Sequence, residues 1–82
     1  MYFVYILYSQ NFDRFYVGQT KNLKSRLERH NNSYVKSTKA YIPWVLKHHE
    51  TFKTRKEAYK REQEIKKMKS KIYIENLIGA SR

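Results

Sequence analysis

The segment Tyr2 to Tyr8 reads YFVYILY, an unbroken run of β-branched, aromatic and aliphatic residues near the start of the chain. A run of this length and composition is a buried strand. Ser9 to Arg14 (SQNFDR) is polar and turn-prone, and Phe15 to Gly18 resumes the strand pattern. Two strands joined by a short loop predict an antiparallel hairpin. Side chains alternate along a strand, so Phe3, Tyr5 and Leu7 share one face, and Tyr16 and Gly18 share a face of the second strand. A register that sets Leu7 opposite Tyr16 sets Tyr5 opposite Gly18. Both tyrosines then lie on one face, with open space beside Tyr5 at the glycine. A slip of one residue would separate them, and the sequence alone leaves the register open.

The rest of the chain punctuates itself. Thr20 and Asn22 are helix N-caps for Leu23 to His30 (LKSRLERH), and Asn31-Asn32-Ser33 ends that helix. Leu23 and Leu27 form its apolar stripe, with Arg26 and His30 one turn apart beside it. Residues 33–43 are a polar, basic connection without a clear period. Pro43 suits the first residue of a third strand, which starts at Trp44 and runs to about Phe52. Thr54 and Glu57 form a capping box for a helix that continues to about Lys67. Ser70 caps a last helix carrying Ile72, Ile74, Leu77 and Ile78, with Gly79 as its stop. The order β-β-α-β-α-α describes a mixed α/β (α+β) fold around a small antiparallel sheet. At 82 residues the chain is expected to be a single domain, 1–82.

Eighteen Lys and Arg against seven Asp and Glu leave a net charge of +11, which makes nucleic acid the expected partner. The chain has no cysteine, which excludes disulfides and Cys-based zinc sites and suits a cytoplasmic location. His48 and His49 are adjacent, and neighbouring histidines rarely turn both rings onto one ion. MYFVYILY lacks a basic leader and is too short to span a membrane. No stretch pairs a basic face with a broad apolar one, so a membrane surface is not the expected partner.

Among the acids, Glu62 stands out. It falls between Ala58 and Ile65 on one helix face, and a carboxylate in an apolar row is costly unless a cation pairs with it. Lys66 or Lys69 could be that cation, and periodicity alone favours such an ion pair; a metal ion is the alternative. Arg26 could hold a phosphate through its planar fork, or be one surface arginine among many. His30 could accept a proton near neutral pH, or be a histidine stabilised by the helix dipole. Tyr5 and Tyr16 are two of eight tyrosines and could simply pack the sheet.

Read together, these residues carry more. The triplets Phe3-Val4-Tyr5 and Tyr16-Val17-Gly18, followed by Thr20, Asn22, Leu23, Arg26, His30 and Asn31, resemble the GIY-YIG nuclease superfamily. The closest likeness is to its small bacterial members grouped with the UvrC-type nuclease domain. Lys36-Ser37-Thr38-Lys39, Pro43-Trp44, Glu57-Ala58, Arg61-Glu62 and Ile65-Lys66 fit the same pattern, so the likeness spans nearly the whole chain. Phe3 replaces the first glycine of the family name and adds a bulky ring on the Tyr5 face.

The resemblance implies a three-stranded antiparallel sheet flanked by helices. It also implies a site of Tyr5, Tyr16, Arg26, His30 and the metal-binding Glu62, with Gly18 and Asn31 in structural roles. One Mg²⁺ or Mn²⁺ on Glu62 is implied, and a single carboxylate suits Mg²⁺, which keeps most of its waters. Tyr5 would deprotonate or orient the attacking water, and Tyr16 would position the water or the phosphate. Arg26 would stabilise the transition-state charge. The products would be a 5′-phosphate and a 3′-hydroxyl. Lys36, Lys39, Lys53, Arg55, Lys56, Lys60 and Lys67 are candidates for phosphate contacts.

The expected function is therefore a metal-dependent DNA endonuclease acting on structured or repair-type DNA. A nucleic-acid binding module with little catalysis is the alternative, and an RNA-associated structural protein is a third. DNA versus RNA, a protein partner and a homo-oligomer all stay open at this point.

Overall fold

A computed structural model describes residues 1–80. Its elements are β1 (Tyr2–Ser9), β2 (Arg14–Thr20), α1 (Leu23–Asn31), a short 3-10 turn (Lys39–Tyr41), β3 (Val45–Phe52), α2 (Arg55–Met68) and α3 (Lys71–Ala80). The expected α+β order holds. The strands form one antiparallel sheet in the order β2-β1-β3.

The central place of β1 explains its composition. Val4 and Ile6 face one side of the sheet, Tyr5 and Leu7 the other, and all four are buried. A strand covered on both faces has no polar positions to show, hence the unbroken apolar run. On the first side Val4, Ile6 and Val17 pack with Ala58 and Ile65 of α2 and with Tyr73, Ile74, Leu77 and Ile78 of α3. On the second, Tyr5, Leu7 and Trp44 pack with Leu23 and Leu27 of α1. Three layers result, with the sheet between α1 and the α2–α3 pair.

The register is the one that unites the tyrosines: Leu7 pairs with Tyr16 and Tyr5 with Gly18. Asp13 closes the hairpin at φ 51°, a left-handed conformation that Asp tolerates better than most residues. Between β1 and β3 the pairing shifts at Ile6/Leu7, leaving Lys47 as the extra residue of a bulge.

The caps fall where the sequence puts them. Asn22 accepts from the Ser25 N–H to start α1, and Thr54 accepts from the Glu57 N–H to start α2. The Ser70 hydroxyl accepts from the Tyr73 N–H at the head of α3. Arg61 of α2 ties that helix to β3 by donating to both Glu50 oxygens, at 2.8 and 3.1 Å.

Three expectations need correction. The third strand begins at Val45, because the backbone of Trp44 is committed to a side chain of α1 instead of a neighbouring strand. Gly79 does not stop the last helix, which continues to Ala80. Ile72 is 70 % exposed while Tyr73 takes the inward position, so the stripe is Tyr73, Ile74, Leu77 and Ile78. Among the described residues, no helix is long and apolar enough to cross a membrane.

Candidate active site

On the α1 side of the sheet, Tyr5, Tyr16 and His30 form a tight aromatic group. Ring centroids lie 6.3 Å apart for Tyr5–Tyr16, 5.9 Å for Tyr5–His30 and 4.9 Å for Tyr16–His30. Tyr5 comes from the central strand, Tyr16 from its neighbour and His30 from the last turn of α1. Gly18 is what lets them meet. A Cβ there would lie 2.6 Å from the Tyr5 Oη and 3.1 Å from Tyr16 Cε2. The space expected beside Tyr5 is filled by the Tyr5 ring itself.

His30 is fully buried and bonded at both ring nitrogens. Nδ1 lies 2.8 Å from Thr38 Oγ1, and the Thr38 hydroxyl donates to the Val35 carbonyl at 3.3 Å. A hydroxyl has one proton, so Thr38 accepts from Nδ1–H. That assigns Nε2 as the unprotonated nitrogen, and it accepts from the Tyr5 hydroxyl at 3.1 Å. The chain of donors runs Tyr5 to His30 to Thr38 to Val35.

Burial keeps both ends neutral. Desolvation, then the charges of Arg26 and Arg29, lower the His30 pKa from 6.5 to about 4. That lowering runs against a charged His30, although His30 does sit in the last turn of α1, where the helix dipole favours a histidine. Desolvation, then Tyr16, push the Tyr5 pKa well above its ordinary value, while Arg26 opposes them as a charge and a hydrogen-bond partner. Glu62 also acts to raise it. Arg26 thus bears directly on the Tyr5 hydroxyl, while Glu62 acts on it more weakly, from the helix across the sheet.

Glu62 is 8 % exposed, in line with Ala58 and Ile65. Lys66 Nζ stands 2.5 Å from its Oε2. The ion pair anticipated from periodicity is present, and it shows that a cation fits against this carboxylate. Among the described residues, no group of three or more His, Cys, Asp or Glu gathers to hold a metal. A metal here would have one protein carboxylate, a donor set that fits Mg²⁺ with its waters better than zinc.

Asn31 earns its place by backbone geometry. Its side chain accepts from the Trp44 N–H at 2.7 Å and donates to the Trp44 carbonyl at 3.0 Å. The Trp44 indole in turn donates to the Thr38 carbonyl at 2.9 Å. These bonds fix the 33–43 connection over α1 and hold Thr38 against His30. The sequence reading gives Thr38 no role of its own. Its only sequence cue is its place in the Lys36–Lys39 segment, where no period marks it as buried.

The basic candidates scatter. Arg55 and Arg26 line one open groove of about 430 Å³. Lys56, Lys60 and Lys67 line a different, shallow surface beside Tyr59 on α2. Lys36 and Lys39 are exposed in the 33–43 connection, and Lys53 is exposed ahead of α2. Arg55 thus lines a different groove from Lys56, Lys60 and Lys67.

Residues 1–76 match the family described as the GIY-YIG catalytic domain. The chain belongs to the GIY-YIG family. Similar GIY-YIG-type relatives include the UPF0213 protein SERP0126 of Staphylococcus epidermidis, 42 % identical over 66 residues that cover 79 % of each chain. The UPF0213 protein SA0446 of Staphylococcus aureus is 39 % identical over 66 residues, again 79 % of each. The solution structure of the UPF0213 protein BH0048 from Bacillus halodurans matches with a TM-score of 0.61 and 28 % identity, covering 98 % of this chain and 85 % of that one. GIY-YIG is a nuclease superfamily, so a nuclease-type role follows for this chain at that level.

Proposed function

We propose that this protein is a divalent-metal-dependent endonuclease that hydrolyses phosphodiester bonds in DNA. One observation carries the reading: the buried Tyr5 hydroxyl donates to an unprotonated His30 Nε2 at 3.1 Å, with Tyr16 beside both rings and Arg26 bearing on the hydroxyl. A residue that merely packs a sheet has no use for a proton acceptor and an arginine at its polar end.

In this reading Tyr5 is the proton relay. Its oxygen takes a proton from the attacking water as its own proton moves to His30 Nε2 along the 3.1 Å hydrogen bond. Thr38 holds the ring in the tautomer that leaves Nε2 open. Tyr16, half-buried beside His30, positions the water or a phosphate oxygen. Arg26 offsets the extra negative charge of the pentacovalent phosphate. Glu62 would hold the cation, in competition with the half-exposed Lys66 that pairs with it. When bound, the metal supplies Lewis-acid stabilisation of the leaving oxygen. Hydrolysis leaves a 5′-phosphate and a 3′-hydroxyl.

The alternative is a nucleic-acid binding module with little catalysis. The contact between Lys66 and Glu62 favours it, since the carboxylate is already neutralised. A panel of labelled branched, flapped, nicked and single-stranded DNAs, with matched RNAs, separates the two. Incubated with Mg²⁺ or Mn²⁺, wild type should cut at least one DNA, and chelator, Glu62→Ala and Arg26→Ala should each stop it. Tight binding without cleavage, equal in all three proteins, would establish the binding module instead.

A further inference from the structure

The groove that contains Arg26 reaches well beyond the tyrosines and histidine. Its walls include Tyr2 at the start of β1, Gln19 near the end of β2, Lys21 and Asn22 ahead of α1, and Arg55 at the first turn of α2. Three cationic side chains line it, and no carboxylate does among the described residues. Arg26 belongs both to this groove and to the surroundings of the Tyr5 hydroxyl. Arg26 is therefore the link between the groove and the candidate site.

Tyr2 organises the groove's outer end. Lys21 Nζ lies 5.2 Å from the centre of its ring and Arg55 Cζ lies 5.9 Å from it. Both are within cation–π range. One half-buried ring thus gathers two cations from separate helix entrances, α1 and α2. With two cations on it, the Tyr2 ring is not a free platform for a nucleobase. What the groove offers is positive charge and the polar ends of Gln19 and Asn22.

We propose that this groove is the track for the substrate strand, in which Lys21 and Arg55 hold phosphates adjoining the one on Arg26 and Tyr2 keeps the two cations together. It rests on the nuclease reading for the role of Arg26. The recognised chemistry is the phosphodiester backbone, so binding here is independent of base sequence and shared by DNA and RNA. The track leaves the site toward the Tyr2 end of β1. It does not run along Lys56, Lys60 and Lys67, which line a separate surface.

The test is a salt titration of binding. The probes are short fluorescein-labelled single-stranded DNAs of two sequences and a matching RNA, bound by the Glu62→Gln protein, which should not cut them. Each phosphate contact contributes roughly 0.7 to 0.9 to the slope of log K against log salt. Lys21→Ala and Arg55→Ala should each reduce the slope by about that amount, on all three probes. Lys47→Ala is the charge-matched control, since Lys47 lies near Tyr8, roughly 20 Å along β1 from Tyr2. It should leave the slope unchanged. Tyr2→Leu should weaken binding with the slope intact, and Tyr2→Phe should restore it.

An unchanged slope in Lys21→Ala or Arg55→Ala would overturn the track. So would an equal change in Lys47→Ala, or an effect confined to one sequence or to one kind of nucleic acid. Because the readout is binding by an uncut complex, a wild type that fails to cleave any substrate would defeat the nuclease reading without altering these slopes. A wild type that cleaves while the slopes stay fixed would defeat the track alone.

Discussion

Gly18 and Tyr5 face each other across β1 and β2, and the Tyr5 phenol occupies the volume where a Gly18 side chain would begin. The glycine is a matter of space, not of backbone freedom, since no glycine here has a positive φ. Its absent side chain lets the Tyr5 hydroxyl lie flat on β2 and reach His30.

Gly18→Ala should therefore damage both fold and site. The new methyl would meet the Tyr5 Oη at 2.6 Å and Cζ at 2.7 Å, and the ring is 1 % exposed with no room to retreat. Overpacking of this kind costs about 1–3 kcal/mol. Chemical denaturation should show a loss in that range, and cleavage should fall further than binding. Tyr5→Leu in the same protein vacates the space and should recover much of the stability, though not the activity. Wild-type stability in Gly18→Ala would show that the contact is easily relieved.

Acid should destabilise the protein through His30. Its folded pKa is about 4 against an unfolded value of about 6.5. Between these values the unfolded chain binds a proton that the folded chain refuses, so stability rises with pH across that window. The contribution is complete above about pH 6.5, fades as pH falls, and is exhausted below about pH 4. Its ceiling is about 3 kcal/mol. Denaturation midpoints from pH 7 to 4 should fall more steeply in wild type than in His30→Phe, which is weaker at neutral pH but cannot take up the proton. Parallel slopes would contradict the buried, neutral histidine. By the same reasoning, the cleavage rate should show no inflection near pH 6.5 from His30.

Lys66 competes for the carboxylate that is proposed to hold the metal. Lys66→Gln should lower the Mg²⁺ concentration giving half-maximal cleavage by a few-fold, a modest effect because the lysine is 45 % exposed and screened by solvent. A raised requirement for Mg²⁺ would instead make Lys66 a partner of the substrate.

Much of this architecture was legible because local signals agreed. The apolar run of β1, the caps at Asn22, Thr54 and Ser70, and the single carboxylate in the Ala58–Ile65 row each point one way. The register could not be read, since a one-residue slip preserves every local pattern and only packing on both faces of β1 decides it. Thr38 was hidden for a related reason. Its burial comes from Trp44 and His30, which lie just outside the 33–43 connection on either side, and no period within that connection records those contacts. Ile72 and Tyr73 show the limit of hydropathy in a short helix. Tyrosine turns inward because its hydroxyl meets Arg61, and isoleucine is left outside.

The central claim is that Tyr5, Tyr16, Arg26, His30 and Glu62 form one hydrolytic site. Its most direct test is single-turnover cleavage under saturating protein and Mg²⁺, with binding measured on the same samples, for wild type and Glu62→Gln. The account predicts that the cleavage rate falls by about two orders of magnitude or more, the scale of losing a principal charge stabiliser, while the dissociation constant stays within a few-fold. Equal cleavage by both proteins would contradict it.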